Sequence, residues 1–190
     1  MELSLAVNNS LMALAKFAIF VMEPFRIPSA GKIDVCCFDK TGTLTGENLE
    51  VEGMAGLEVE DPFSLKNDIS AIPQRSIECA AICHSLFKVD DKTAGDPMEK
   101  AMLDFAKWSL REGDLLSSVD GTRSAFILHR FAFSSNLKRM SVVAAVVGKN
   151  GRKLVAYVKG APEVLKERLV GVPSSYDAIY EKYTQSGARV

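Results

Sequence analysis

The chain has 190 residues, a formal net charge of −1 and a hydrophobic fraction of 47%. This length predicts one or two domains, and the hydrophobic fraction is sufficient for a packed core. The near-zero charge and the absence of long basic runs argue against a nucleic-acid partner. The cysteines lack the spacing of a small disulfide-stapled secreted domain, which favours reduced thiols in a cytosolic setting.

The first 22 residues are mostly apolar. Their charge-free stretch, residues 3–15, is shorter than the roughly 20 residues that span a bilayer. Glu2 stands where a signal peptide would carry positive charge, which disfavours a signal peptide. Two interpretations stay open: an amphipathic helix that packs on the domain, or the cytosolic half of a membrane helix. We expect the sequence to be a fragment, because its last residues stop where an apolar strand begins.

The next segment places an aspartate at the end of an apolar run. Two prolines and a glycine in residues 23–32 predict that the first helix ends there. Residues 33–38, IDVCCF, predict a strand buried on both faces, as in a parallel sheet. Asp39 follows this strand, then a turn and an extended segment, and residues 57–73 are predicted to be a loop.

The remainder of the chain predicts helices followed by an antiparallel sheet. Residues 74–89 have helical spacing, residues 91–96 are predicted to be a loop, and Pro97 opens a second helix. The predicted buried face of that helix comprises Met98, Ala101, Met102, Phe105 and Trp108. Residues 125–135 and 139–148 predict strands, and Asn150-Gly151 predicts a hairpin into a third strand. Two further helices are predicted at 161–169 and 174–187, the latter capped by Ser174 or Ser175.

This order of elements predicts two domains, the second inserted into the first. The remainder of the first domain would lie beyond residue 190. Because the Asp39 strand would then lack its neighbours, we expect residues 1–45 to be poorly packed and residues 55–185 to be compact.

Asp39 has the surroundings of a carboxylate that accepts a phosphoryl group. Ligands of open α/β sheets bind at the carboxyl ends of parallel strands. Gly42 permits a sharp turn whose amides can face an anion, while Lys40, Thr41 and Thr43 add a cation and hydroxyl groups. These groups suit the formation of an aspartyl phosphate, with Mg²⁺ held by the Asp39 carboxylate and a carbonyl near Thr41.

Two alternatives bear on this segment. The first is that DKTGT is an ordinary turn between a strand and a loop, since Asp, Lys, Thr and Gly are common in turns. A phosphatase would need a second acid two residues after the nucleophile, where this chain has Thr41. Because a hydroxyl is a poor general acid or base at neutral pH, the phosphoenzyme is expected to persist.

DKTGTLT, residues 39–45, resembles the phosphorylation motif of P-type ATPases at all seven positions. GDPMEKAM, FSSNLKRMSVV and KGAPE resemble the nucleotide-domain segments of that family and come in the expected order. Residues 1–11 and 23–45 resemble the type V, subtype A branch, the endoplasmic-reticulum ATPases implicated in removing misinserted membrane helices and in cation homeostasis.

The resemblance implies a fold class and a division into domains. The fold would be α/β: an incomplete Rossmann-like phosphorylation domain of the haloacid-dehalogenase type, with an inserted α+β nucleotide-binding domain built on an antiparallel sheet. Residues 1–22 would be the cytosolic end of a membrane helix. Residues 23–50 would begin the phosphorylation domain, and residues 51–190 would belong to the nucleotide-binding domain.

The resemblance also implies roles for individual residues. Asp39 would be the phosphorylated nucleophile, Lys40 and Thr41 would contact the phosphate, and Asp39 with the backbone oxygen of Thr41 would hold Mg²⁺. The nucleotide residues would be Glu99 at the adenine end, Phe133 stacked on adenine, and Lys138, Met140 and Lys159 around the same pocket.

By the same resemblance, the whole protein would be an ATP-driven transporter or dislocase with an aspartyl-phosphate intermediate. It would use ATP and Mg²⁺, with this segment facing the cytosol at the endoplasmic-reticulum membrane and the substrate site in membrane helices outside this sequence. Two other functions stay open: a nucleotide-binding module without turnover, and a haloacid-dehalogenase-type phosphatase.

Several candidate residues also have a structural interpretation. Phe133 fits a core position of a strand, Lys159 fits a solvated hairpin end, and Glu99 is favourable near a helix start through the helix dipole alone. Cys79, Cys83 and His84 have too few ligands for a metal site, and His129 is expected at the surface or its boundary.

Overall fold

A computed structural model of the chain describes residues 2–40, 42–46, 49–149 and 151–190. The chain divides into two compact units, Met1–Glu47 and Asn48–Val190. The units are taken separately below.

The first unit is helical at its start and has no buried residue among those described. It comprises α1 (Glu2–Lys16), a 3₁₀ turn (Pro24–Arg26) and α2 (Ile27–Ala30). Helix α1 ends before the prolines because Ala18 adopts a left-handed φ of 57° and the Ile19 amide donates to the Leu14 carbonyl at 3.1 Å. This is the hydrogen bond of a Schellman-type helix end. None of the described helices combines the length and apolar composition needed to cross a bilayer.

The predicted strand at residues 33–38 is wrong for this structure. The segment carries no strand assignment, and the side chains of Val35 and Phe38 are 76% and 65% exposed. A strand obtains its hydrogen bonds from neighbouring strands, and no described residue supplies them here. The exposure agrees with the expected poor packing of residues 1–45.

The second unit contains two antiparallel sheets. A two-stranded sheet pairs β1 (Phe87–Val89) with β2 (Lys92–Ala94). The larger sheet has five strands in sequential order: β3 (Trp108–Leu110), β4 (Leu115–Ser118), β5 (Ser124–Ser134), β6 (Arg139–Gly148) and β7 (Gly151–Gly160). The helices are α3 (Gln74–Ile82), α4 (Pro97–Phe105), α5 (Pro162–Lys166) and α6 (Tyr176–Gln185), with 3₁₀ turns at Ile69–Ala71 and Glu112–Asp114.

One face of the larger sheet forms the core with α3 and α4. Along β6, side chains alternate between faces, so that one face presents four buried residues: Met140, Val142, Ala144 and Val146. We call this the inner face. Ile77 and Ile82 of α3 and Leu103 of α4 belong to the same hydrophobic cluster. On the opposite, outer face, Phe126 and Leu154 remain 45% and 69% exposed.

The three long strands and all four helices after residue 73 are confirmed, but the two central helices are shorter than predicted. Helix α3 ends at Ile82 and α4 at Phe105. Trp108 is buried as predicted, yet it lies in β3, and Met98 is 39% exposed instead of buried. The buried side chains of α4 are Glu99 and Leu103.

The loop predicted at residues 91–96 contains strand β2. The β1–β2 hairpin turns through Asp90 and Asp91, both with positive φ, at 45° and 63°. Two-residue hairpins of the favoured type require positive φ at both central positions, and aspartate tolerates it. At the start of α6, Ser175 occupies the predicted N-cap position, but its side chain makes no capping hydrogen bond.

Candidate functional site

The Asp39 segment forms a tight turn in the first unit. The Lys40 carbonyl accepts from the amides of Leu44 at 3.0 Å and Thr45 at 3.1 Å, and from the Thr45 hydroxyl at 3.3 Å. Gly42 has a φ of 78°, a conformation that few other residues adopt. Asp39 and Lys40 are exposed. Thr41 lies outside the described residues, so its predicted contacts with phosphate and Mg²⁺ stay predictions.

In the second unit, two of the predicted nucleotide residues form an ion pair. Lys159 Nζ lies 2.6 Å from Glu99 Oε1, with the glutamate side chain 9% exposed and the lysine side chain 34% exposed. Glu99 Oε2 accepts from the Ser85 amide at 2.9 Å. Both carboxylate oxygens therefore have partners, which is what burial of a charge requires. The Lys159 ammonium remains reachable from solvent.

The local sequence GDPME explains how Glu99 is placed. Gly95 has a φ of 132°, and a Cβ there would lie 2.7 Å from Leu86 Cδ2. Asp96 caps α4 by accepting from the Met98 amide at 2.7 Å, and Pro97 occupies the first helical turn. Glu99 then stands in the first turn, where a negative charge is favourable.

The turn between β5 and β6 carries Lys138 beside the end of β7. Lys138 has a φ of 45°, and its amide donates to the Ser134 carbonyl at 2.7 Å. Its ammonium lies 3.4 Å from Glu163 Oε1, and both side chains are more than half exposed. Such a pair contributes little to stability, so Lys138 is available for a ligand.

Gly160 allows the lysine loop to approach this turn. A Cβ at position 160 would lie 2.5 Å from the Lys138 carbonyl oxygen and 2.6 Å from Arg139 Cβ. The Ala161 amide donates to the same Lys138 carbonyl at 2.9 Å. The turn of Lys138 and the end of β7 are therefore joined through the backbone.

Met140 and Phe133 have opposite environments. Met140 is 3% exposed and pairs directly with Lys159 across β6 and β7, so it belongs to the core beneath the ion pair. Phe133 is 61% exposed on the last part of β5, which contradicts its structural interpretation as a core residue. A large exposed ring is available for stacking.

The structure thus brings Glu99, Met140 and Lys159 into one cluster and joins Lys138 to it through Ala161. Phe133 lies just before the turn that carries Lys138. We call these five residues the nucleotide cluster. The segment of Asp39 and Lys40 belongs to the other unit.

Two polar features beside this cluster were not assigned a role from the sequence. His84 is 1% exposed, its Nδ1 accepts from the Leu86 amide at 3.0 Å, and its Nε2 has no partner among the described residues. Burial, together with the nearby Arg130 cation, lowers the pKa of His84 to about 4. Arg130 donates to the His84 carbonyl at 3.0 Å and to both carboxylate oxygens of Asp114 at 2.7 and 2.8 Å. The hydrogen bonds from Arg130 to the Asp114 carboxylate hold the pKa of Asp114 below its ordinary value.

His84 lies in the sequence ICHSL, and the apolar neighbours were the only signal of its burial. No group of three or more His, Cys, Asp or Glu side chains suited to a metal ion occurs within the described ranges. His129 is exposed, as predicted.

Comparison with known proteins shows the family of the chain. Residues 74–171 match the family model of the P-type ATPase cytoplasmic domain N. The whole chain is 48% identical over 193 residues to the endoplasmic reticulum transmembrane helix translocase of Saccharomyces cerevisiae, covering 15% of that protein. It is 47% identical over 191 residues to the probable manganese-transporting ATPase PDR2 of Arabidopsis thaliana, covering 16% of it.

A more distant relative is the human polyamine-transporting ATPase 13A2, 34% identical over 202 residues, which span 93% of this chain and 17% of that protein. The chain thus spans 15 to 17% of the length of these relatives. The family model covers just over half of the chain, including every residue of the nucleotide cluster. The chain belongs to the P-type ATPase family, as the resemblance of its motifs predicted.

Proposed function

We propose that residues 51–190 bind ATP through the nucleotide cluster and that Asp39 accepts the γ-phosphoryl group. The whole protein would be an ATP-driven transporter or dislocase at the endoplasmic-reticulum membrane, with this segment facing the cytosol. Residues 23–50 would begin a phosphorylation domain of the haloacid-dehalogenase type, and residues 1–22 would be the cytosolic end of a membrane helix.

The observation that carries the proposal is the grouping of Glu99, Lys159 and Lys138 at one end of the sheet, with Phe133 on the strand that leads into the Lys138 turn. Phe133 is 61% exposed, both partners of the Lys138 ion pair are more than half exposed, and the Lys159 side chain is 34% exposed. A ring offers stacking to a base, and the two ammonium groups offer charge to phosphates. In this arrangement Glu99 holds Lys159 in place while no ligand is bound.

Mg²⁺ fits the chemistry of the Asp39 segment. An exposed carboxylate is an oxygen ligand of the kind Mg²⁺ prefers, and Mg²⁺ usually keeps several waters and takes the rest of its ligands from substrate phosphates. Asp39 would hold the ion with the Thr41 carbonyl. The bound ion would neutralise phosphate charge, while the Asp39 carboxylate attacks and Lys40 contacts the transferred group.

Nucleotide binding is tested on the 190-residue chain by titration calorimetry with ATP. We expect Phe133→Ala to weaken binding by about tenfold, because stacking of a base on an aromatic ring contributes about 1–3 kcal/mol. Phe126→Ala is the matched control, since Phe126 lies on the same strand, is 45% exposed, and is outside the nucleotide cluster. Equal affinities of the two variants for ATP would refute the assignment of Phe133.

Phosphorylation is tested on a version extended to the length of the relatives. Radiolabelled ATP is expected to leave an acid-stable, hydroxylamine-sensitive label that Asp39→Asn removes. A label on another residue, or rapid hydrolysis of small phosphate esters, would refute the proposed mechanism, and the latter would support a phosphatase.

A second candidate is a nucleotide-binding module without turnover. The exposure of Asp39 and the lack of strand pairing at residues 33–38 favour this function for the chain by itself. ATP binding by the 190-residue chain without any phosphoenzyme would support it.

A further inference from the structure

A cavity lies at the other end of the inner face, away from the nucleotide cluster. It has a volume of about 250 Å³ and is lined by the start of α3 and by the ends of β6 and β7 that form the hairpin. Four cations line it: Arg75, Arg123, Lys149 and Lys153. We call it the hairpin cavity.

Among the described residues, Glu78 is the only carboxylate that lines the hairpin cavity, and it is already engaged. Glu78 is 5% exposed, pairs with the Arg123 guanidinium, and accepts from the Tyr157 hydroxyl at 2.7 Å. The lining therefore carries four positive charges against one negative charge, an excess of three. Among the described residues, Arg75, Lys149 and Lys153 form no salt bridge.

The register of the sheet directs Lys153 towards the cavity. Lys153 pairs with Val146 and lies on the inner face together with Val155 and Tyr157. The preceding residue, Arg152, pairs with Val147 on the outer face. A lysine thus occupies a position that the period of the strand would assign to the core. At this end of the strand Lys153 is exposed, so its ammonium is solvated and free to contact a ligand in the cavity.

The beginning of α3 adds further positive charge and hydrogen-bond donors to the cavity. Gln74 and Arg75 form its first turn, which contains no acidic residue, and the helix has no side-chain cap. A cation at a helix N-terminus is unfavourable because the dipole is positive there. An anion in the cavity would offset both the dipole and the Arg75 charge, and would accept from free amides of the first turn.

We propose that the hairpin cavity binds a small anion that carries one or more phosphate groups, at a site separate from the nucleotide cluster. Lys153 and Lys159 are six residues apart on β7, which at about 3.3 Å per residue places the two sites roughly 20 Å apart. The cavity is small for a complete nucleotide, since drug-sized ligands occupy roughly 300–1,000 Å³. This inference goes beyond the proposed function and does not depend on it.

The test is titration calorimetry of the 190-residue chain with inorganic pyrophosphate at low salt. We expect Lys153→Gln to weaken binding by about tenfold, because it removes a charged hydrogen-bond donor to the phosphate. Arg152→Gln is the matched control: it removes the same charge from the adjacent residue of the same strand, on the outer face. Its affinity is expected to stay within about twofold of the unmodified chain.

Three outcomes would overturn the proposal: no binding of pyrophosphate, equal losses in the two variants, or loss of pyrophosphate binding in Lys138→Gln. The last would place the anion at the nucleotide cluster. Conversely, pyrophosphate binding by a chain that fails to bind ATP would support the hairpin cavity and refute the proposed nucleotide site.

The phosphate could belong to a soluble metabolite or to a lipid headgroup. Vesicles of phosphatidylcholine containing phosphatidic acid distinguish the two sources in a sedimentation assay. Vesicle binding that Lys153→Gln abolishes and Arg152→Gln preserves assigns a lipid headgroup. Pyrophosphate binding without vesicle binding assigns a soluble phosphate.

Discussion

Replacing His84 by glutamine is expected to remove most of the pH dependence of stability between pH 7 and pH 5. His84 is 1% exposed, and its pKa is lowered to about 4 by burial and by the Arg130 cation. Its Nδ1 accepts from the Leu86 amide, so the neutral ring carries its proton on Nε2. The folded protein thus holds the ring neutral at pH values where the unfolded chain protonates it.

The sign and size of the effect follow from these two pKa values. The unfolded ring has a pKa of 6.5 and the folded ring about 4, so below pH 6.5 the unfolded state binds more protons and stability falls as pH falls. The difference between the two pKa values lowers the free energy of unfolding by about 3 kcal/mol in total, a value reached below pH 4. Between pH 7 and pH 5 the free energy of unfolding falls by about 2 kcal/mol. Above pH 6.5 the contribution is constant. Carboxylates with lowered pKa values, such as Asp114, lose their contribution only at lower pH.

The assay is urea unfolding followed by tryptophan fluorescence, since the single tryptophan, Trp108, is 4% exposed and reports on the core. The unmodified chain is expected to lose about 2 kcal/mol between pH 7 and pH 5, and His84→Gln markedly less. The chain has two histidines, and His129→Gln is the control because His129 is exposed. If His84→Gln kept the full pH dependence, or His129→Gln lost it, the burial argument would be refuted.

Two further predictions concern close packing and thiol chemistry. Gly160→Ala is expected to lower the free energy of unfolding by roughly 3 kcal/mol, because the added Cβ would overlap backbone atoms. Gly151 has a φ of 86° and open space around it, so Gly151→Ala should lower the free energy of unfolding by only about 1 kcal/mol. Equal losses of the two variants in urea unfolding would contradict this prediction. Under native conditions iodoacetamide should modify the exposed Cys36 and Cys37 but not Cys83, because burial raises the pKa of the Cys83 thiol to about 12. Mass spectrometry locates the modified cysteines. Fast modification of Cys83 would contradict its burial.

The long strands were predictable because each carries its own signal. Strands β5, β6 and β7 have ten or eleven residues of β-forming composition, and a turn signal separates the last two. Strands β1 to β4 have only three or four residues, too few for a period to be visible. Their pairing is decided by tertiary contacts, such as the burial of Trp108 opposite Ser118. The apolar run at 33–38 shows the converse, since strand composition without a paired neighbour does not make a strand.

The sequence allowed the residues of the nucleotide cluster to be named as candidates, but it did not predict which of them contact one another. Family motifs supplied Glu99 and Lys159 as separate candidates, although they are sixty residues apart in the chain. Their contact arises because β7 runs beside β6 and returns Lys159 to the inner face, next to the first turn of α4. No local pattern contains that information. The burial of His84 was likewise hidden, because it depends on which elements cover residues 83–86.

The inner face of β7 connects the two proposed sites. Its alternating positions are Lys153, Val155, Tyr157 and Lys159, so one strand places a cation at each end of the face that packs against helices. Lys159 is compensated within the chain by Glu99. At the other end, Glu78 is taken by Arg123 and the Tyr157 hydroxyl, which leaves Lys153 without an anion among the described residues. Lys153 is exposed and therefore solvated. A phosphate bound in the hairpin cavity would give Lys153 the opposite charge that Glu99 gives Lys159 at the other end of the strand.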